Sequence, residues 1–343
     1  MADVVASPLR VGLIGFGRFG LHLVERFADD GSFRVVAAAA DPIVAEVVAP
    51  FGVRLVDHPR ELLAAADVDV VWFAEHDAFR SGRTAADVLC EKHAIVETPL
   101  ALSSSIADQA FDVAAQHHRL LLVRHPRRSD PDFQQALTVA EDQTYGAIRA
   151  AKFVSWSFGL PPRGAIRGNG PLPPDASDDP QIIKCRFAAH ALDQLLTLLN
   201  DRPICVFATG DQRAQGAPSL LAGCSLLLQV TFERGCQAEI DIRLDSPTQF
   251  QSGWLLTAER GGYAKNRKFT LTDDGEIFDS ALTDAPDNDE DADQFEWLAR
   301  QIRSGVRDPI EEARVRAVVS VLDATQRSLE SRQMVQVTSL TAD

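Results

Sequence analysis

The sequence predicts an α/β protein of two domains: a doubly wound parallel sheet, then an α/β unit with an open, mainly antiparallel sheet. Three observations carry this expectation. Short apolar segments alternate with helical patterns through residues 1–124. A glycine-rich turn, Gly15, Gly17 and Gly20 in VGLIGFGRFG, joins the first apolar run to the first helical pattern. Beyond His125 the texture changes to longer alternating segments parted by turns. At 343 residues the chain suits two cores better than one, and the boundary is placed between 124 and 125.

Taken in order, the strand candidates of the first domain are Arg10–Gly15, Phe33–Ala40, Val53–Leu55, Val70–Ala74, Ala94–Glu97 and Leu120–Val123. Helical patterns at Phe19–Phe27, Arg60–Ala65, Ala85–Lys92 and Ser104–His118 separate most of them. Short apolar strands of this kind belong to a parallel sheet covered on both faces. Ligands of such sheets bind beyond the carboxyl ends of the strands. Gly15, Asp41, Ala74, Glu75, His76, Glu97 and Thr98 therefore fall on one edge. In the second domain a helix at Pro131–Glu141 leads to the alternating strand IRAAKFVSWSF. A long proline- and glycine-rich loop then precedes an apolar helix at Phe187–Leu199. Strand patterns follow at Cys205–Thr209, Ser225–Phe232, Ala238–Leu244, Trp254–Ala258 and Lys268–Thr272. An acidic stretch around Asp287–Asp293 introduces a helix with Phe295, Trp297, Leu298 and Ile302, and an amphipathic helix spans about Ile310–Leu329.

The glycines each have a task in a strand–turn–helix that receives a dinucleotide. Gly15 permits the tight turn, Gly17 lets backbone approach a pyrophosphate, and Gly20 lets the helix pack on its strand. The amides and positive end of the helix then face the phosphates, with Phe16, Arg18 and Phe19 completing the segment. Asp41 ends the second strand about 20 residues on, where a carboxylate meets the adenosine ribose. No arginine adjoins it to take a 2′-phosphate, which favours NAD over NADP.

Composition excludes several classes. A formal charge of −15 argues against nucleic acid and anionic membrane surfaces. No apolar run approaches the length of a membrane span, and the start lacks the pattern of a signal peptide. Five cysteines without C-x-x-C spacing read as reduced thiols, and the expected location is cytoplasmic. The eight histidines show no metal-ligand spacing, so no metal is expected.

The glycine turn, the strand DVDVVWFA and the segments IVETPLALS, RRSDPDF, AAHALDQLLTLL and DATQRSLESRQMVQV occur in order. Together they resemble the glucose–fructose oxidoreductase / inositol dehydrogenase (Gfo/Idh/MocA) family from Leu9 to about Val337. The resemblance implies an N-terminal Rossmann domain that binds NAD (1–124). It implies a second domain for substrate binding and oligomerisation (125–343). The implied activity is hydride transfer to or from a sugar-like, polyol-like or sugar-acid substrate. The implied assembly is a homodimer or homotetramer through the open sheet. Two positions depart from the family pattern. Where the family reads E-K-P the chain has Glu97-Thr98-Pro99, and four residues before His190, where it carries aspartate, stands Arg186.

His190 is therefore the surviving candidate for proton transfer, or else a helix histidine in a structural contact. Asp193, one turn on, either orients that imidazole or faces solvent. Thr98 can exchange hydrogen bonds but supplies no charge, and Pro99 after it permits a cis bond. Arg186 suits a carboxylate or phosphate on a substrate, and Lys184 could replace the missing ammonium. Arg163 and Arg167 in the long loop are candidates for capping a substrate. The competing reading is a non-redox, NAD-binding regulator or sensor; a lyase- or glycosidase-like activity with transient use of bound NAD is a weaker third.

Overall fold

The structure, a computed structural model, describes residues 7–74, 83–158, 180–210, 225–282 and 290–338. The apolar segments of the first third become strands β1 (Leu9–Ile14), β2 (Phe33–Ala39), β3 (Arg54–Val56), β4 (Val70–Phe73), β5 (His93–Glu97) and β6 (Leu121–Arg124). All pair in parallel, in the order β3-β2-β1-β4-β5-β6. Every residue of β4 is buried, as a strand covered on both faces requires. Helices α1 (Arg18–Arg26), α2 (Ala45–Val48), α3 (Pro59–Ala64), α4 (Arg83–Glu91) and α5 (Ser104–Gln116) lie between these strands in the chain. Strand order reverses between β1 and β4, so a ligand crevice is expected at the carboxyl ends of those two strands.

The second sheet is built on β7 (Ile148–Phe158), which lies parallel to β10 (Gln237–Arg243) and antiparallel to β11 (Asp245–Ala258). Beyond β10 come β9 (Ser225–Phe232), β8 (Pro203–Gly210) and β15 (Val335–Gln336). Beyond β11 come β12 (Gly261–Ala264), β13 (Arg267–Leu271) and β14 (Ile277–Ala281). Apart from β7–β10 every pairing is antiparallel, giving the open, mainly antiparallel sheet that was expected.

Helix α6 (Pro131–Glu141) packs on β11 and β12, and α7 (Pro180–Leu199) on β7 and β10. Ala188, Ala189, Leu192 and Leu195 form the inner stripe of α7. Asp132 pins the start of α6 to the sheet. One of its oxygens accepts from the Trp254 backbone N–H (2.7 Å) and the other from the Tyr263 hydroxyl (2.7 Å). The motif RRSDPDF thus holds much of its meaning in packing, since Phe133 is also buried.

Helices α8 (Glu290–Ser304) and α9 (Pro309–Ser331) complete the described elements. A simple cut after residue 124 does not describe the packing. Asp291–Glu312 belongs with the residues up to Arg124, and the other described residues form the second unit. Phe295 of α8 is fully buried against Phe27 and Trp72, with ring centroids at 4.8 and 5.9 Å. Phe33 closes the same cluster, 5.1 Å from Phe27 and 5.6 Å from Trp72. Leu298, Ala299 and Ile302 extend the contact.

Candidate active site

The first unit supplies a turn shaped for a dinucleotide. Gly15 lies at φ +80°, a conformation that side chains strain against, and its N–H donates to the Ala39 carbonyl (3.1 Å). Gly17 caps α1 without a side-chain hydrogen bond, and the first turn holds no acidic residue. The amides of that turn are thus left for an anion. A Cβ on Gly20 would come within 3.1 Å of the buried Phe16 ring, so the glycine sets how closely helix and turn pack. These features fit a pyrophosphate group. Phe16 itself is buried and faces inward; Phe19 is half-buried in the first turn, and the side chain of Arg18 lies outside the described residues.

The rest of the strand edge is placed as follows. Asp41 stands just beyond β2, and its Oδ1 accepts from the Ile43 N–H (2.9 Å), which bends the chain away from the strand. Ala74 follows β4 directly, its N–H donating to the Ile14 carbonyl (3.0 Å), beside the glycine turn. Glu75 and His76 lie outside the described residues, as do Arg163, Arg167, the long loop and residues 287–289 of the acidic stretch.

At the end of β5 the Glu97 carboxylate is engaged inside the fold. Its Oε1 accepts from the Trp72 indole N–H (3.1 Å) and its Oε2 from Arg124 (3.0 Å). Thr98 is 3 % exposed, its hydroxyl donates to the Arg124 carbonyl (2.5 Å), and the Thr98–Pro99 bond is cis. Both side chains are bound up in holding the strand end.

The second unit carries the other candidates. His190 lies on α7 with Arg186 one turn before it. Part of the residue reaches solvent, yet the imidazole is enclosed by protein atoms. That enclosure, then the charges of Arg127, His125 and Arg186, hold it well below the usual histidine range, with Asp193 opposing them. His190 is thus neutral at neutral pH. The side chain of Lys184 lies outside the described residues.

Asp193 neither orients His190 by hydrogen bonding nor faces solvent. It is 1 % exposed and gripped by Arg128 through two hydrogen bonds, 2.8 Å from Nε and 2.6 Å from Nη2. The His125 Nδ1 lies 3.4 Å from the same carboxylate. Burial works against its charge, but His125 and Arg128 outweigh that and hold the carboxyl below its ordinary range. Gln194 donates to the Arg127 carbonyl, so two successive helix residues staple the turn Pro126–Ser129 to α7. Sequence reasoning missed His125, Arg127 and Arg128 as neighbours of this helix. The available signal was the cluster of basic residues His125, Arg127 and Arg128, parted only by Pro126, after the last strand of the first sheet.

A glycine turn with an uncapped helix end, on a six-stranded parallel sheet, defines a dinucleotide-binding α/β protein. Residues 9–125 match the family model described as "Oxidoreductase family, NAD-binding Rossmann fold". Over that stretch, which holds the whole first sheet, the chain is similar to the Gfo/Idh/MocA family. Over 266 residues it is 24% identical to the inositol 2-dehydrogenase of Rhodococcus jostii, covering 75% of this chain and 67% of that one. The inositol 2-dehydrogenase of Mycolicibacterium smegmatis is likewise 24% identical over 263 residues, 74% of this chain and 71% of its own. Among solved structures, GenD2 from gentamicin A biosynthesis, in complex with NAD, superposes with a TM-score of 0.76. It is 18% identical, and 99% of each chain is covered.

Proposed function

We propose that the protein is an NAD-dependent oxidoreductase that acts on a hydroxyl group of a sugar-like, polyol-like or sugar-acid compound. The observation that carries the reading is an enclosed imidazole, His190, with the cationic side chains of Arg127 and Arg186 near it, in a chain whose glycine turn suits a dinucleotide. Bound NAD would supply the hydride acceptor. Gly15, Gly17 and the first amides of α1 would hold its pyrophosphate, and Asp41 its adenosine ribose. His190 takes the hydroxyl proton in the oxidising direction. An imidazole with a lowered pKa is present as the base at neutral pH but holds the proton weakly. Arg127 and Arg186 complement it by favouring negative charge on the substrate oxygen, or on an acidic group elsewhere in the substrate. Thr98 positions the strand end, and Lys184 remains a candidate for the ammonium missing from Glu97-Thr98-Pro99.

Two variants test this. His190→Ala is expected to lower NADH formation by about 10²- to 10⁴-fold on any active member of a sugar and sugar-acid panel. Its NAD affinity should be unaltered, and an unchanged rate would remove His190 from the reaction. Asp41→Asn keeps the acceptor for Ile43 but loses the charge. It should weaken NAD binding about tenfold, by the loss of a charge-assisted hydrogen bond, and NADP binding less. Equal effects on both would contradict the ribose contact.

A second reading, a dinucleotide-binding regulator without turnover, is favoured by one observation: the Thr98 hydroxyl is engaged within the fold where the family carries a lysine. Absence of NADH turnover across the panel, with intact NAD binding, would support it. We place the chain in the cytoplasm as a homodimer or homotetramer assembled through the open sheet. Ile277 and Phe278 on β14, 70% and 59% exposed, support the assembly. A monomer by light scattering would remove it, and fractionation of the cells that express the chain would test its location.

A further inference from the structure

Arg124, the last residue of β6, is 5% exposed and belongs to no part of the reaction described above. Its guanidinium meets three groups from three elements. Nη1 donates to the Glu97 carboxylate at the end of β5 (3.0 Å). One contact lies over the Phe19 ring, 5.1 Å from its centroid, and another over the Phe295 ring at 5.2 Å. The carbonyl of the same residue accepts from Thr98. Arg124 thereby ties the end of β5 to the first turn of α1, where Phe19 stands two residues after Gly17.

A buried ion pair is a poor source of stability, because desolvation consumes most of the attraction. Well-packed apolar residues would serve that purpose at least as well. What an arginine supplies is geometry: a flat cation that fixes the angle of an aromatic ring and the place of a carboxylate together. We propose that Arg124 is a positioning residue for the dinucleotide, holding Phe19 so that the amides of the α1 turn keep the spacing a pyrophosphate needs. The proposal rests on the dinucleotide reading of the glycine turn.

The test is NAD titration by calorimetry on the full chain, with thermal unfolding measured beside it. Arg124→Met alone strands the Glu97 carboxylate and is expected to lower the Tm sharply. The double variant Glu97→Gln/Arg124→Met removes that stranded charge and still lets residue 97 accept from Trp72. Its Tm is expected to recover, while its Kd for NAD stays about tenfold above wild type. Arg124→Lys keeps the charge but not the flat contact, and should show the same loss of affinity. Phe19→Leu should weaken NAD in the wild-type background and add nothing in the double variant. NAD affinity within twofold of wild type in both the double variant and Arg124→Lys would overturn the role of Arg124. Absence of NAD binding by the wild-type chain would overturn the dinucleotide reading along with it.

Discussion

His190 shows how one position can be read from sequence while its surroundings cannot. Helical spacing places it one turn from Arg186, but Arg127 and His125 reach its neighbourhood through a separate turn stapled to α7. That staple depends on Asp193, whose pairing with Arg128 spans 65 residues of sequence and has no local signature. The cationic setting has a consequence for stability. In the native state His190 resists protonation, whereas in the unfolded chain it takes a proton at about pH 6.5. Below that pH the unfolded state binds more protons, so stability falls as pH is lowered. His93 adds a slope of the same sign: burial, then the charge of Arg119, lowers its pKa, and its Nδ1 must stay free to accept from the Leu120 N–H (3.0 Å). Chemical denaturation between about pH 6.5 and 5.5 should show His190→Gln reducing the slope by up to about 1.4 kcal/mol per pH unit. An identical slope in variant and wild type would mean that His190 titrates normally in the fold.

Elements were more legible than contacts, for a physical reason. The first sheet is assembled from local units, each a short apolar strand and an amphipathic helix, and those periodicities are written in adjacent residues. The glycine turn is legible in the same way, since φ +80° at Gly15 is a backbone requirement that residue type alone announces. The second sheet was less so. Strand β11 runs from Asp245, well before the expected Trp254, because its early residues pair irregularly with β7 and break the alternation. Helix α7 begins at Pro180, seven residues before the apolar stripe that betrays it. The β7–β10 pairing is parallel and joins segments about 80 residues apart, a distance over which no pattern in either strand specifies a partner. Glu97 and Thr98 were found by motif, but their partners Trp72 and Arg124 follow from the strand order, which must be known first.

At the scale of the molecule, the order of residues and the order of packing part company. Helix α8 returns from far along the chain to the core of the first unit. Phe295 fills the space between Phe27 and Trp72, and Leu298, Ala299 and Ile302 cover more of the same apolar surface. Burying an aromatic side chain of this kind is worth about 3–5 kcal/mol by the usual cost of truncating it, which is a large fraction of a domain's stability of about 5–15 kcal/mol. Arg124 loses one of its two aromatic faces if α8 is absent. Residues 1–124 on their own should therefore carry a complete glycine turn and yet fail to form a rigid nucleotide-binding module. Expressed alone, that fragment is expected to bind a hydrophobic dye, to show weak near-ultraviolet dichroism and to melt without a cooperative transition. A synthetic peptide spanning residues 290–312 should restore the dichroism and NAD binding, whereas the same peptide with Phe295→Ala should not. Cooperative unfolding of the fragment with wild-type NAD affinity would show that α8 is an ornament of the first unit, not a part of its core.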